Sequence, residues 1–174
     1  MTPFIRQATT SDADALALVA KATFLETFAG VLEGADIVAH CADEHTATRY
    51  TAWLATPDAA LWLAEIAPGA APIGYALLSR PDLPVADPRP TDYELKRIYV
   101  LSRFHGTGVG GALLEAVSAA AKARGGKRLL LGVYAGNARA LAFYGRQGFR
   151  AVAERQFQVG TRTYDDRVLA LELR

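Results

Sequence analysis

Cysteine is almost missing from this chain. Cys41 stands alone among 174 residues, so no internal disulfide forms and a reducing, cytoplasmic setting is expected. Long apolar runs are missing too: no stretch approaches the roughly 18 uninterrupted apolar residues of a membrane span. The opening segment, Met1 to Gln7, lacks the apolar core of a secretory signal. Charge of one sign is equally scarce. With a formal net charge of +1 and no long basic run, neither nucleic acid nor a membrane surface is expected as a partner. His40, Cys41, Glu44 and His45 lie close together, but without H-E-x-x-H or Cys-x-x-Cys spacing, so no metal is expected. Cys41 itself reads as a helix thiol turned toward the core rather than a nucleophile.

What is present is globular material. Half of the residues are hydrophobic and about a fifth are charged, enough to bury a core in one domain, 1–174. No shift in composition marks a boundary, and no repeat is visible. Residues 4–8 read as a strand. Thr9-Thr10-Ser11-Asp12 then offers capping side chains to a helix from Ala13 to about Phe28. A second helical stretch, Ala35 to Leu54, ends at Thr56-Pro57-Asp58. Strands follow at 60–66 and 73–79 around the Pro68-Gly69 turn. The segment Pro81 to Pro90 holds four prolines and is a stiff surface loop.

The second half alternates strand (93–101), helix (108–124), strand (128–134) and helix (137–147), and closes with strands 151–159 and 163–173. Val109, Leu113, Ala116, Val117 and Ala120 share one face of the first of these helices. Leu169, Leu171 and Leu173 give the last strand one apolar face. The expected architecture is a mixed α/β sheet with one parallel crossover at its centre.

Four glycines fall within six positions in His105-Gly106-Thr107-Gly108-Val109-Gly110-Gly111, between a strand and a helix start. Unpaired amides and the helix dipole at such an end suit a phosphate, and glycine lets the backbone approach it closely. Three anions compete for the loop, beside the bland reading of a tight turn. Gly106, Gly108 and Gly111 match G-x-G-x-x-G, but the next strand ends in Gly132-Val133-Tyr134-Ala135, without the acidic residue that would hold a ribose. No Gly-Lys-Ser/Thr follows, which excludes a P-loop. The third anion is the pyrophosphate of coenzyme A.

Here the residues resemble the GNAT acyltransferase superfamily. His105-Gly106-Thr107-Gly108-Val109-Gly110 is similar to its Q/R-x-x-G-x-G/A loop, with His105 in the Gln/Arg place. Asn137 to Phe149 resembles the family's N-x-x-A-x-x-F-Y-x-x-x-G-F signature at every fixed position. A looser likeness, to bacterial spermidine/spermine N-acetyltransferases, rests on Ala22 to Phe28 and on Glu94 to Val100.

The resemblance implies a largely antiparallel, twisted sheet of about seven strands around a parallel β-α-β unit, with helices on both faces. It implies acetyl-CoA as cosubstrate and a small-molecule amine, polyamines included, as acceptor. A homodimer is left open. Coenzyme contacts are implied at Ile98, Tyr99 and Val100, along His105, Gly106, Thr107, Gly108, Val109, Gly110 and Gly111, and at Asn137, Ala140 and Phe143. Glu94 takes the place of the family's base, acting directly or through water, with Tyr99 and water as the fallback. Tyr144 takes the place of the general acid, about 10 Å along its helix from the crevice edge. Glu26, Phe28 and Asp165 are candidates for contact with a cationic acceptor. Two other functions fit the same motifs, a non-catalytic acetyl-CoA-binding sensor and an enzyme that acetylates protein N-termini or lysines.

Overall fold

The computed structural model describes residues 3–174. In chain order the elements are β1 (Pro3–Gln7), α1 (Ala13–Phe28), α2 (Gly34–Glu44), α3 (Ala47–Ala55), β2 (Ala60–Ile66), β3 (Ala71–Ser79), β4 (Asp92–Val100), α4 (Val109–Ala123), β5 (Arg128–Tyr134), α5 (Ala138–Arg146), β6 (Arg150–Val159) and β7 (Arg162–Glu172). The seven strands form one sheet in the order β1-β2-β3-β4-β5-β7-β6. Only β4 and β5 run parallel; the other neighbours are antiparallel.

Period-two alternation sorts the side chains into two layers. Ala60, Trp62 and Ala64 of β2, with Tyr93 and Leu95 of β4 and Leu129, Leu131 and Val133 of β5, pack against Leu113, Leu114 and Val117 of α4. The intervening Leu61 and Leu63 point the other way, with Tyr75 and Leu77 of β3, onto Leu16, Val19 and Ala20 of α1 and Tyr50 of α3. Leu129, Leu130 and Leu131 are all fully buried, the continuous apolar run of a strand covered on both faces.

The helical stretch expected from Ala35 to Leu54 is two helices. His45 leaves helical geometry (φ −115°, ψ 44°), and Thr46 starts α3 as an extended N-cap whose side chain accepts from the Arg49 amide at 3.1 Å. The local capping chemistry of Thr46 outcompetes continuation. His45 then turns inward, with its Nδ1 3.0 Å from the Tyr50 hydroxyl.

The β4–β5 ladder decides where a site can form. It holds Asp92 against Arg128, Tyr93 against Leu129 and Glu94 against Leu130, and stops there. At its closed end Arg128 grips both oxygens of Asp92, from Nε at 2.9 Å and Nη2 at 2.7 Å. Beyond Glu94, β4 keeps β3 as its partner, with a bulge at Lys96, while β5 stays paired with β7 as far as Tyr134. A bulge bends its strand, and here the two parallel strands part into a wedge.

Candidate active site

Three sets of groups converge on that wedge. The first is the loop between β4 and α4. A short 3-10 turn, Ser102–Phe104, leads into Gly106 (φ 80°) and Gly108 (φ 91°), and α4 starts at Val109. Both glycines hold the left-handed conformation that other residues adopt only with strain. Nothing lies within 4 Å of where their β-carbons would stand, so the space in front of them is open. Among the described residues, no hydrogen bond reaches the amides of Gly106, Gly108, Val109, Gly110 or Gly111. They form a row of free donors at the positive end of a helix.

Two side chains counted among the implied coenzyme contacts stitch this loop together. The His105 ring places Nε2 2.7 Å from the Val100 carbonyl, back on β4. The Thr107 hydroxyl donates to the Phe104 carbonyl at 2.7 Å. Glu26 supports the loop from α1, its two oxygens accepting from the Ser102 amide (2.8 Å) and hydroxyl (3.1 Å).

The second set comes from α5. Asn137 caps the helix by accepting from the Ala140 amide at 3.1 Å. Phe143 lies against Gly110 of α4, within 3.8 Å of the position a β-carbon would take, so the two helix starts sit side by side. Ala140 and Phe143 pack on the core half-buried. Tyr144 is buried between Phe143 and Phe149 (ring centroids 5.3 and 5.6 Å). Its hydroxyl makes no hydrogen bond among the described residues, yet it is not sealed from solvent. Burial pushes its pKa well above the phenol range, with Tyr99 of β4 adding to the shift; the phenol is a proton holder at neutral pH. Away from the wedge, a groove of about 420 Å³ runs between α4 and the end of α5, lined by Gly111, Leu114, Glu115, Ser118, Gln147 and Leu171.

The third set lies on the opposite face of the sheet. Glu94, 3% exposed, is the last residue of β4 still paired with β5. Its Oε2 accepts from the Asp82 amide at 3.1 Å and from Lys96 Nζ at 3.4 Å. Burial raises its carboxyl pKa and Lys96 opposes the rise. Further along β4, Arg97 donates to Glu44 of α2 at 2.8 Å and to the Tyr50 hydroxyl at 3.2 Å. Tyr50 in turn donates to Tyr75 at 3.2 Å. Tyr99 stacks on Tyr75 at 6.0 Å, and its phenol pKa is pushed up to about 12 by burial, against the pull of Arg97.

The structure therefore places Glu94 where the β4–β5 ladder ends, and Tyr99 further along β4, close enough to Tyr144 to act on its phenol, with Ile98 and Val100 on the same unpaired stretch. It does not bring the acceptor candidates there as a set. Glu26 is engaged by Ser102. Phe28 packs on Phe24 at 4.6 Å. Asp165 is exposed on the α4–α5 face, because alternation along β7 puts it in phase with Leu169 and Leu171. Its neighbour Asp166 faces the Glu94 side, buried and bonded to Arg155. Arg155 and the Asp92–Arg128 clamp are polar groups of this region that the sequence motifs did not mark.

Comparison with known proteins agrees with this architecture. Residues 25–149 match the acetyltransferase (GNAT) family. An uncharacterized N-acetyltransferase of Mycobacterium tuberculosis is 33% identical over 163 residues, covering 94% of this chain and 99% of the relative. Among solved structures, the PaiA N-acetyltransferase from Thermoplasma acidophilum, in complex with coenzyme A, superposes with a TM-score of 0.79 at 19% identity, over 99% of both chains. An N-acetyltransferase from Staphylococcus aureus gives 0.74 at 19% identity, over 100% of both. The last two likenesses are of fold.

Proposed function

The chain belongs to the acetyltransferase (GNAT) family and is an N-acetyltransferase, and from that premise we propose that it transfers the acetyl group of acetyl-CoA to a small primary amine, with Glu94 as base and Tyr144 as acid. One observation carries the reading: the parallel ladder ends at Glu94 and Leu130, so β4 and β5 part just beyond a buried carboxylate, on a strand whose Tyr99 lies near the buried phenol of Tyr144.

The residues fit acetyl-CoA. The free amides of Gly106 and of Gly108 to Gly111 offer donors to its pyrophosphate, and the open space before Gly106 and Gly108 admits it. The stretch of β4 from Leu95 to Val100, without a β5 partner, offers backbone groups to the pantetheine arm at Ile98 and Val100, while the Tyr99 backbone pairs with Tyr75 of β3 and leaves its side chain as the contact. At Val100 the carbonyl is already engaged by His105, which leaves the amide. Asn137, Ala140 and Phe143 border the same arm from α5, and the groove between α4 and α5 suits the adenosine end.

An amine with a pKa near ~10 arrives protonated at neutral pH and must lose that proton before it attacks the thioester carbonyl. Glu94 is the acceptor for it, and its near-complete burial favours transfer through a water in the gap over direct contact. As the C–S bond breaks, Tyr144 gives its proton to the departing thiolate. A phenol whose hydroxyl is unbonded and whose pKa is raised is in the right protonation state for that step.

A small acceptor is supported by the β6–β7 hairpin. Its tip reaches over to α2: Val159 packs with Phe24, Leu32 and Ile37, Arg162 pairs with Glu33 at 2.8 Å, and Gly160 lies against Asp36. This arch ties the hairpin tip to α2 on the Glu94 side of the sheet, an arrangement that suits a small acceptor better than a protein segment. The polyamine suggested by the α1 and β4 residues is one small amine among several.

The test is thiol release from acetyl-CoA with a panel of polyamines, amino acids, aminoglycosides and peptides, alongside calorimetry with coenzyme A. Release with a small amine supports the reading. Coenzyme binding without release for any amine overturns the transfer, and absence of binding overturns the site.

A further inference from the structure

Three arginines that pair with carboxylates of the sheet are bonded in two different ways. Arg6 forks both oxygens of Asp12 (2.8 and 2.8 Å) and both of Glu65 (2.8 and 2.7 Å). Arg128 forks Asp92 in the same way. These are closed pairs, with donors and acceptors used up. Arg155 differs. Its Nε and Nη2 both reach one oxygen of Asp166, Oδ2, at 3.3 and 3.2 Å. Asp166 Oδ1 and Arg155 Nη1 have no partner among the described residues, and neither is sealed from solvent. Its side chain is 24% exposed.

Its position is as telling as its bonding. Arg155 springs from the edge strand β6, yet its guanidinium lies across β7 and rests on Gly132 of β5. A β-carbon at 132 would stand 2.8 Å from Nη2 and 3.1 Å from Cζ. Phe157, two residues along β6, backs it with its ring centroid 5.3 Å away. Gly132 is two residues beyond Leu130, the partner of Glu94, and on the same face. So a half-buried arginine with an unused edge lies across the split on a floor at Gly132, two residues beyond the partner of the proposed base. By contrast, the carboxylates nearest this floor already have cations: Glu44 has Arg97, Asp82 and Glu94 have Lys96, and Asp166 has Arg155.

We propose that Arg155 anchors the acceptor by its carboxylate, so that the substrate is an amine carrying a carboxylate close by, as a small amino acid does, and not a polycation. This rests on the reading that the amine reacts beside Glu94. The planar guanidinium edge suits a carboxylate's two oxygens. A polycation would meet Arg97, Lys96 and Arg155, whose own carboxylate partners are already paired. Gly132 and Asp166 are positioning residues, the first by leaving the floor clear and the second by holding Nε and Nη2.

The experiment compares kcat/KM for matched acceptors that differ only at the carboxylate: an amino acid, its amide and its decarboxylated amine, with spermidine alongside. The wild type is expected to favour the acid by about tenfold or more. Arg155→Met is expected to lose most of that preference through the KM for the acid, and Arg155→Lys to recover part of it. Gly132→Ala keeps the Arg155–Asp166 charges but displaces the guanidinium, and it should lose the same preference even if Arg155→Met does not fold. Equal use of acid, amide and amine, a preference for spermidine, or an equal fall on all acceptors in Gly132→Ala overturns the anchor while acetyl transfer stands. Thiol release with no amine at all overturns the acceptor site and the anchor with it.

Discussion

His45 makes a quantitative test of how the acceptor side is held together. It is 1% exposed, bonds Tyr50 through Nδ1, and leaves Nε2 without a partner among the described residues. Burial lowers its pKa from 6.5 to about 3, with Arg97, His40 and Lys21 acting in the same direction. The folded protein keeps the ring neutral between those values while the unfolded chain binds a proton, so stability falls as pH drops through that window. At ~1.4 kcal/mol per unit, acidification from pH 7 to 5 should cost about 2 kcal/mol through His45 alone. His40, lowered by burial and by Arg97, adds to the loss. Glu94 and Asp166 carry carboxyls raised by burial and work the other way, since there the folded state holds the proton. A comparison of the wild type with His45→Gln cancels those terms, because glutamine keeps a polar partner for Tyr50 and does not titrate. Urea unfolding followed by circular dichroism at fixed ionic strength, from pH 7.5 to 5, gives both slopes. The wild type should lose about 2 kcal/mol more than the variant over that range. Parallel curves would refute a neutral, desolvated His45.

Tyr144→Phe should lower kcat by about 10²–10⁴-fold, the usual contribution of a general acid, with little change in the KM for acetyl-CoA; an unchanged kcat removes its role. Glu94→Gln should abolish the acid limb of the kcat/KM profile. In the wild type that limb should lie above the ordinary carboxylate range because burial raises Glu94, and a limb that persists in the variant assigns the base elsewhere. Gly108→Glu forces a side chain into φ 91° and a negative charge onto the loop; calorimetry should show coenzyme A binding lost while the circular dichroism spectrum is kept.

Local pattern carried the parts of this protein that are local. The βαβ centre, the free amides of the glycine loop and the Asn137 cap are encoded within a few residues of where they act. The break at His45–Thr46 is local as well, but it rests on a threonine cap inside a run that reads equally well as one helix. Adjacent aspartates 165 and 166 point to opposite faces, and the alternation of Leu169, Leu171 and Leu173 carried that information in its phase. Other features have no local signal. Glu44 and Arg97 meet across 53 positions, and Arg128 meets Asp92 across 36. Arg155 reaches Gly132 only because β7 inserts between β5 and β6. These contacts follow from strand order, which no window of sequence displays.

The wedge between β4 and β5 is a consequence of opposed constraints and not of slack. A parallel ladder of three residue pairs is a weak join by itself, yet it sits in the middle of a seven-stranded sheet and must not slip. The Arg128–Asp92 fork pins its closed end, where both side chains are almost wholly buried and breaking one partner would strand the other charge. At the open end β4 and β5 have committed their other edges to β3 and β7, so neither strand can lean across to close the gap without losing antiparallel pairs. The bulge at Lys96 sets the point of departure one residue after Glu94 and Leu95 have entered opposite layers. The carboxylate is thereby left at the apex of the split, desolvated and at the place that the proposed transfer requires of its base.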